Sequence, residues 1–451
     1  MKKLNLLDST MLIMGSMIGS GIFIVSAQIA RDVNSIFYLM LAWIVTAVLT
    51  ILAALSYGEL AAMMPKAGGQ YVYLKEAYGK LFGFLYGWTL FTVIQTGTIA
   101  AVAVAFAKFA GVIFPSVSEK NILLQIGEFK IHAAQLVGIL VIWILTCSNF
   151  RNVKSGALVQ NIFTFSKIIA LLFVIAAGVY YIFTNDFIIQ TSNPLISQSF
   201  NQTQNLTLGI FCAALVGSIF SADAWNNITF TAGEVEKPER NLPLSLLLGT
   251  GAVLVLYIVI NLIYTNALSL EEIKTADSDR VGTLLLQKVF GVRGADLMAI
   301  FIMISTFGCV NGLTLSGARV YYAMAKDKLF LSTAASLNKN NSPQKALIMQ
   351  GVWASVLALS GSYGDLLDYV VFAVLLFYIL TVAGVFVLRI KQPDAIRPYK
   401  VFAYPILPAI YIIMATVICV SLLIYKPNYT YPGLAIVLAG IPVYFLLNRK
   451  N

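Results

Sequence analysis

The sequence is poor in charge and in the residues that build catalytic and metal sites. Of its 451 residues only 11% are charged, and it has a single histidine. One histidine cannot supply a His-based metal cluster. Soluble domains carry about 25% charged residues, so a soluble globular protein, a disordered chain and a nucleic-acid-binding protein are excluded. With 59% hydrophobic residues, the composition is typical of a polytopic membrane protein.

Cysteine is also scarce, and its placement excludes two further classes. The four cysteines lie inside apolar runs and none forms a CxxC pair, so neither a disulfide scaffold nor a zinc site is predicted. The net charge of +10 comes from basic residues in short loops, where they set membrane orientation. The chain also lacks a phosphate-binding P-loop, so any work it does must draw on gradients or on exchange. From the composition we predict no cofactor, no metal and no nucleic-acid partner.

Twelve apolar segments are candidates for transmembrane helices, which need about 20 residues each. The predicted fold is therefore an all-α polytopic membrane protein in the bilayer, with twelve transmembrane helices called span one to span twelve. The predicted spans are 7–30, 35–62, 81–114, 131–149, 155–183, 207–233, 242–268, 294–324, 344–361, 365–389, 403–425 and 431–448.

The loop charges predict the orientation. If both termini are cytoplasmic, 19 lysines and arginines lie in cytoplasmic segments and 8 lie on the other side. Basic residues favour the cytoplasmic side of a membrane. We therefore expect both termini to be cytoplasmic and the protein to lie in the cell (inner) membrane.

Span one is predicted to be broken in its middle. Residues 15–21 read Gly-Ser-Met-Ile-Gly-Ser-Gly, and each glycine weakens a helix by roughly 1 kcal/mol relative to alanine. Close packing of small residues against another helix is the alternative explanation. Because the adjacent Ser20 and Gly21 face different directions, unwinding is the favoured interpretation.

Span six carries a polar cluster at residues 220–227, Phe-Ser-Ala-Asp-Ala-Trp-Asn-Asn. A charged residue such as Asp223 at the centre of a membrane helix costs at least roughly 2.5–3.5 kcal/mol. A structural hydrogen bond to a neighbouring helix is one explanation, and a functional site is the other. We expect a second break here.

Two broken helices five spans apart are the sequence sign of a transporter built from inverted repeats. This predicts a first repeat over residues 1–183, a second over 207–389, and two further helices over 403–451. A broken helix offers free N–H groups to a carboxylate and free carbonyls to an ammonium group. The simplest ligand with both charges on one carbon is an amino acid.

At these residues the sequence resembles the amino acid–polyamine–organocation transporter superfamily, within it the L-type amino acid transporters and their bacterial relatives, including serine/threonine exchangers. The resemblance covers nearly the whole chain. The matching stretches are residues 19–23, 57–60, 65–69 and 220–226, the last followed by 233–234 and 237–243. It implies the five-plus-five inverted repeat of the leucine-transporter type, with helices one and six broken, followed by two C-terminal helices.

The resemblance also implies a substrate site at the two breaks. In this family the backbone at Gly19, Ser20 and Gly21 holds the substrate carboxylate, and carbonyls before the breaks hold the amine. The implied substrate-binding residues are Met17, Ile18, Gly19, Ser20, Gly21, Phe220, Ser221, Asp223, Trp225 and Asn226. Phe220 resembles the outer gate that covers the substrate, and Trp225 and Asn226 begin the second half of span six.

Two residues depart from the pattern of the large-neutral carriers, which have glycines there. Asp223 is similar to the aspartate of exchangers that take basic and neutral amino acids, although bacterial carriers of small neutral substrates also have one. Ala224 replaces the next glycine and is expected to narrow the space for a bulky side chain.

Lys167 lies inside span five, where a lone lysine is costly. Snorkelling to the membrane surface is one explanation, but its depth in the span disfavours it. The resemblance implies that Lys167 reaches the back of the span-one break, where sodium-driven relatives hold a sodium ion. This disfavours sodium coupling and leaves Lys167 as a proton carrier or as a fixed brace.

The predicted function is secondary active transport of L-amino acids by alternating access, with sodium-independent exchange as the first expectation. Proton-coupled symport stays open, as does a cationic amino acid or polyamine antiporter that uses Asp223. A membrane enzyme or a sensor is disfavoured, because no catalytic constellation or output domain is present. Some family members bind a glycoprotein through a cysteine between spans three and four; residues 115–130 have none, so no disulfide-linked partner is expected.

Overall fold

The structure is a computed structural model, and it describes residues 3–126, 129–151, 153–184, 206–360 and 363–448. Helices make up most of this part of the chain. The helices along the spans are Leu6–Met17, Gly21–Val33, Ile36–Met63, Lys80–Thr89, Gln95–Ile113, Ala133–Ser148, Val153–Thr184, Leu208–Ala214, Val216–Ser221, Asn227–Phe230, Pro238–Ala267, Val292–Lys326, Gln344–Ser360, Tyr363–Lys391, Ile406–Tyr425 and Pro427–Asn448. A five-residue π-helix, Leu90–Ile94, joins the two parts of span three.

Shorter elements connect these helices. They are the α-helices Gln70–Tyr78, Leu270–Lys274 and Val281–Phe290, the 3-10 helices Pro115–Val117, Ala232–Glu234, Asp277–Asp279 and Ser332–Ala335, and the strands Ile122–Ile126 and Phe129–His132. The two strands pair antiparallel between spans three and four. The sequence did not predict this hairpin, because an apolar run of five residues is too short to distinguish a strand from a helix by its pattern.

Each of the twelve predicted segments contains helix within a few residues of the expected bounds. Within the described residues, eight helices are long and apolar enough to cross a membrane, and the bent pair in span one makes nine. Spans four and nine have helices of 16 and 17 residues, and span six is divided into short pieces. The all-α polytopic fold is confirmed, whereas the number of twelve spans stays a prediction.

Span two shows why these sequences form membrane helices. Ile36–Met63 starts at Ser35, whose side chain caps the first turn, and 28 residues without proline or an early glycine allow it to continue. Its outward face exposes large apolar groups such as Ile44 and Val48, which suits lipid. Its inward face buries small and hydroxyl residues, such as Ala42 and Thr46, which let neighbouring helices approach closely.

The broken spans lie inside the bundle. The first half of span one packs against spans five, seven and eight, and its second half packs against the first part of span six. Span seven runs along span two, and span eight runs along spans three and five. The two breaks are therefore enclosed by neighbouring helices, which also form a large hydrophobic core. A small separate cluster, Ala47, Ala222 and Leu254, lies beside the second break.

Polar contacts join the bundle at the side where the chain begins. The Leu4 N–H donates to Glu234 O and the Glu236 N–H donates to Leu4 O, both at 2.8 Å, so the first residues pair with the segment after span six. The Arg319 guanidinium contacts the Glu234 carboxylate at 3.0 Å.

A second cluster lies at the ends of spans two and ten. The Glu59 carboxylate, 1% exposed, accepts hydrogen bonds from Arg389 at 2.6 and 2.9 Å and from the Val401 N–H at 2.8 Å. Arg397 lies 3.5 Å from the same carboxylate. A buried carboxylate with two arginines and a backbone donor is fully paired, so this cluster connects span two to the segment after span ten.

Candidate substrate site at the two helix breaks

Span one is interrupted at residues 18–20. The helix Leu6–Met17 ends at Ile18, whose ψ of 89° leaves the helical region, and the next helix begins at Gly21 with Ser20 before it. The two helices are bent by 41° relative to each other. Because this helix begins at the break, its positive end faces the break. The Ser20 side chain does not cap it.

Side chains from three other spans hold the carbonyls on the approach to this break. Five consecutive carbonyls each accept at least one side-chain hydrogen bond. Lys167 Nζ donates to Gly15 O and Ile18 O at 2.8 Å, Cys309 Sγ to Ser16 O at 2.9 Å, Tyr257 OH to Met17 O at 2.9 Å, and Ser305 Oγ to Ile18 O and Gly19 O at 3.0 and 3.2 Å. The unwound backbone thus has the partners that the membrane interior requires.

Lys167 is 1% exposed and does not extend to the membrane surface. Its ammonium group lies between the end of the first half-helix and the break. Gly308 of span eight makes room for it, because a Cβ there would lie 3.3 Å from Lys167 Nζ and 2.7 Å from Phe163 Cβ. The ammonium therefore supplies a buried positive charge where two carbonyl dipoles converge.

Span six is interrupted over a longer stretch. Its helix ends at Ser221 and resumes only for Asn227–Phe230. Between them Ala224 has φ +67°, a left-handed conformation that glycine adopts without strain and alanine does not. Local turns satisfy most of this backbone: the Asp223 N–H donates to Phe220 O and the Asn227 N–H donates to Ala224 O, both at 3.2 Å.

The polar side chains of the second break pair with other helices. Asp223, which is partly buried, accepts a hydrogen bond from Tyr378 OH of span ten at 2.6 Å. Asn226 Nδ2 donates to Gln70 Oε1 at 2.9 Å, and Gln70 Nε2 donates to Thr381 Oγ1 at 3.0 Å. Span ten is thus connected to the second break at two points.

The two breaks touch each other. A Cβ on Gly21 would lie 2.1 Å from Ser221 Oγ and 2.8 Å from Ser221 Cβ. Glycine is required here because any side chain would overlap with span six. Gly21 and Ser221 therefore mark the point where the two interrupted helices meet.

Two cavities flank Asp223. The first has a polar lining that includes Gln70, Gln95, Thr98, Asp223, Asn226 and Asn227. The second lies between spans two, six, ten and eleven. In each, about 10 Å³ is open to the centre of a water molecule, which is room for about one water. Asp223 and Tyr378 line both cavities, so this pair forms a wall between them.

The structure brings some of the predicted site residues to the cavities and not others. Asp223 and Asn226 line the first cavity, and Trp225 lines the second. Trp225 also packs edge-on against the Tyr57 ring, 4.7 Å between centroids. The other predicted residues line neither cavity, and all of them are buried: Met17, Ile18, Gly19, Ser20, Gly21, Phe220 and Ser221.

Several residues at the breaks were not predicted. They are Gln70, Tyr257, Ser305, Cys309, Tyr378 and Thr381. Each is one polar residue among others in its helix, and no spacing or motif distinguishes it. In the described part of the chain, no three His, Cys, Asp or Glu residues gather as metal ligands.

Comparison with known proteins agrees with this architecture. The sequence profile of the family described as amino acid permease matches residues 4–446, which is nearly the whole chain. The chain belongs to the amino acid permease family. This permease is 32% identical to the large neutral amino acids transporter small subunit 2 of Rattus norvegicus over 448 residues, covering 99% of this chain and 80% of that protein.

Two further relatives are named for different activities. The b(0,+)-type amino acid transporter 1 of Mus musculus is 28% identical over 451 residues, covering 99% of this permease and 88% of the relative. The serine/threonine exchanger SteT of Bacillus subtilis (strain 168) is 28% identical over 457 residues, covering 100% and 98%. The permease is thus similar over its full length to amino acid transporters from mammals and from a bacterium.

Proposed function

We propose that this permease is a secondary carrier that exchanges L-amino acids across the cell membrane by alternating access. The observation that carries the proposal is the contact between two interrupted helices beside a cavity with a carboxylate. The relatives, among them an exchanger, support the same function. The five-plus-five repeat, two cytoplasmic termini and a transport rather than enzymatic role belong to this proposal.

The substrate carboxylate is expected at the start of the helix Gly21–Val33. The N–H groups of Gly21 and Ile22 have no acceptor within the helix, whereas the Phe23 N–H donates to Ser20 O at 3.0 Å. The positive end of the helix favours an anion. Gly19, Ser20 and Gly21 supply this backbone. Lys167 lies on the carbonyl side of the same break and adds a positive charge there.

The amine is expected nearer to span six than to span one. Ile18 O already accepts from both Lys167 and Ser305, which uses its two lone pairs. Among the described residues Met17 O accepts from Tyr257 alone and keeps one lone pair. Phe220 O accepts from the Asp223 N–H at 3.2 Å, and a carbonyl has two lone pairs. We therefore place the substrate amine between Met17 O and the carbonyls of Phe220 and Asp223, with Phe220 as the outer gate.

Counterflow in proteoliposomes tests the function. Vesicles containing the purified protein are loaded with one unlabelled L-amino acid, and uptake of a labelled one is measured without a sodium gradient. Exchange predicts uptake that depends on the internal amino acid. Uptake into empty vesicles driven by an imposed pH gradient would instead establish proton symport, and no uptake with any amino acid would refute the carrier function.

A second candidate function is exchange of cationic for neutral amino acids, or antiport of a polyamine. Asp223 favours it, because its carboxylate faces the first cavity, where the distal ammonium or guanidinium group of a substrate would find a charge partner. Replacing Asp223 by Asn tests this role. We expect lysine, arginine and ornithine to lose roughly 10-fold or more in apparent affinity, while neutral substrates keep theirs.

A further inference from the structure

The second cavity has one wall from span eleven, which lies outside the predicted repeats. Its lining includes Thr50 of span two, Ile219 and Asp223 of span six, Tyr378 of span ten and Tyr411 of span eleven. Trp225 also lines it, and the other lining residues are aliphatic. The polar side-chain groups of the lining are therefore the hydroxyls of Thr50, Tyr378 and Tyr411, the carboxylate of Asp223 and the indole N–H of Trp225.

Tyr411 has a hydroxyl that the rest of the protein does not satisfy. The residue is 1% exposed, and within the described chain its hydroxyl has no hydrogen-bond partner. Buried hydroxyls nearly always have a partner, which is often an ordered water. Thr50 Oγ1 donates to Thr46 O, and the Tyr378 hydroxyl donates to Asp223, so both of these hydroxyls have already used their protons.

Asp223 has acceptor positions left over, which a donor such as the Tyr411 hydroxyl requires. A carboxylate offers about four acceptor positions, and the one side-chain donor found for it in the described residues is Tyr378, on Oδ1. Tyr411 lies within electrostatic range of this carboxylate. The cavity between them has space for a water molecule and supplies at least two polar partners, which are the conditions for a stable buried water.

We propose that an ordered water occupies the second cavity and bridges the Tyr411 hydroxyl to the Asp223 carboxylate. Tyr411 is then a positioning residue for substrates with a cationic side chain. The bridge and Tyr378 together hold the carboxylate in one orientation, so that it meets a cation in the first cavity. This inference rests on the second candidate function, in which Asp223 meets the side chain of the substrate.

Replacing Tyr411 by Phe removes the hydroxyl and keeps the ring. In counterflow assays we expect the KM for lysine to rise roughly 10-fold, as for the loss of a water-mediated contact to a charged group, while the KM for a neutral amino acid is unchanged. In an Asp223→Asn background the same replacement has no selective effect, because the charge it positions is gone. Tyr425→Phe, on the same helix near its end, is the matched control.

Infrared spectroscopy of the purified protein tests the bridge without any transport. The carboxylate band of Asp223 is identified as the band that Asp223→Asn abolishes, and Tyr411→Phe is expected to shift it while Tyr425→Phe leaves it in place. An unshifted band overturns the proposal. The proposal also fails if Tyr411→Phe raises the KM equally for neutral and cationic substrates, or if it has its full effect in the Asp223→Asn background. It fails as well if no cationic amino acid inhibits neutral exchange by the wild type. Absence of all exchange would refute the carrier function. The infrared result would still show whether the Tyr411 hydroxyl is linked to the Asp223 carboxylate.

Discussion

Span one and span six are both interrupted, but different parts of the chain satisfy the backbone that each interruption frees. At the first break, carbonyls 15–19 accept hydrogen bonds from side chains of spans five, seven and eight. At the second break, local turns satisfy most of the main chain, and the side chains of Asp223 and Asn226 pair with Tyr378 and Gln70.

This difference suggests a division of roles. The first break has few functional side chains of its own and offers main-chain groups, which recognise features common to all amino acids. The second break presents Asp223 and Asn226 to a cavity, and these side chains distinguish one substrate from another. Changes at the first break should therefore affect every substrate, and changes at the second should affect selected ones.

The largest effect is expected at Lys167. Replacing it by Met leaves Gly15 O without its side-chain donor and removes one of two donors from Ile18 O. Two hydrogen bonds from a charged group are worth about 3 kcal/mol or more, so exchange should fall at least about 100-fold for neutral and cationic substrates alike. Proteoliposome counterflow measures this loss.

Lys108→Met is the control for this variant, because Lys108 is a partly exposed lysine near the end of span three. It should retain normal exchange. Normal exchange and an unchanged melting temperature in Lys167→Met itself would show that the first break does not depend on this lysine.

A smaller effect is expected where the two breaks touch. Gly21→Ala places a Cβ 2.1 Å from Ser221 Oγ, and such overpacking costs about 1–3 kcal/mol, so exchange should fall about 10-fold for all substrates. Adding Ser221→Gly removes the overlapping atoms and should restore much of the activity. Gly251→Ala, where no atom lies within 4 Å of the new Cβ, is the control; failure of the double variant to recover would contradict the contact.

The next effect in size is expected at Tyr257. Its replacement by Phe deprives Met17 O of a donor and should lower the free energy of unfolding by about 1 kcal/mol, as measured by thermal unfolding in detergent. Neutral and cationic substrates should lose exchange in equal proportion. A loss confined to cationic substrates would mean that the two breaks do not divide their roles in this way.

The smallest effect is expected at Ala224. Its left-handed φ of +67° costs alanine about 1–2 kcal/mol, and glycine relieves that cost at an entropic penalty of about 0.5–1 kcal/mol. Ala224→Gly should therefore raise the unfolding free energy by up to about 1 kcal/mol. Ala222→Gly, at φ −90°, should lower it instead, and the same sign for both variants would argue against strain at Ala224.

Much of the fold follows from local properties of the sequence. Long apolar runs predict helices in a membrane, and the glycines at 15–21 and the polar cluster at 220–227 predict where two of them stop. Both breaks lie there. The fold prediction succeeded because hydropathy and helix propensity act over neighbouring residues, within the range that a single sequence displays.

The partners of the breaks were harder to predict because they come from distant parts of the chain. Tyr378 is 155 residues from Asp223, and Tyr257 is 240 residues from Met17. One tyrosine in an apolar helix looks like any other until the helices are packed. Lys167 was an exception, since a charge inside a membrane helix demands a partner and the family resemblance indicated where that partner lies.

The pairing of Leu4 with residues 234–236 has a mechanical consequence. It joins the start of span one to the segment that leaves span six, through two main-chain hydrogen bonds that substitutions other than proline leave in place. On that face of the bundle the first half of span one and the last part of span six are therefore coupled mechanically. We expect a displacement of one to move the other.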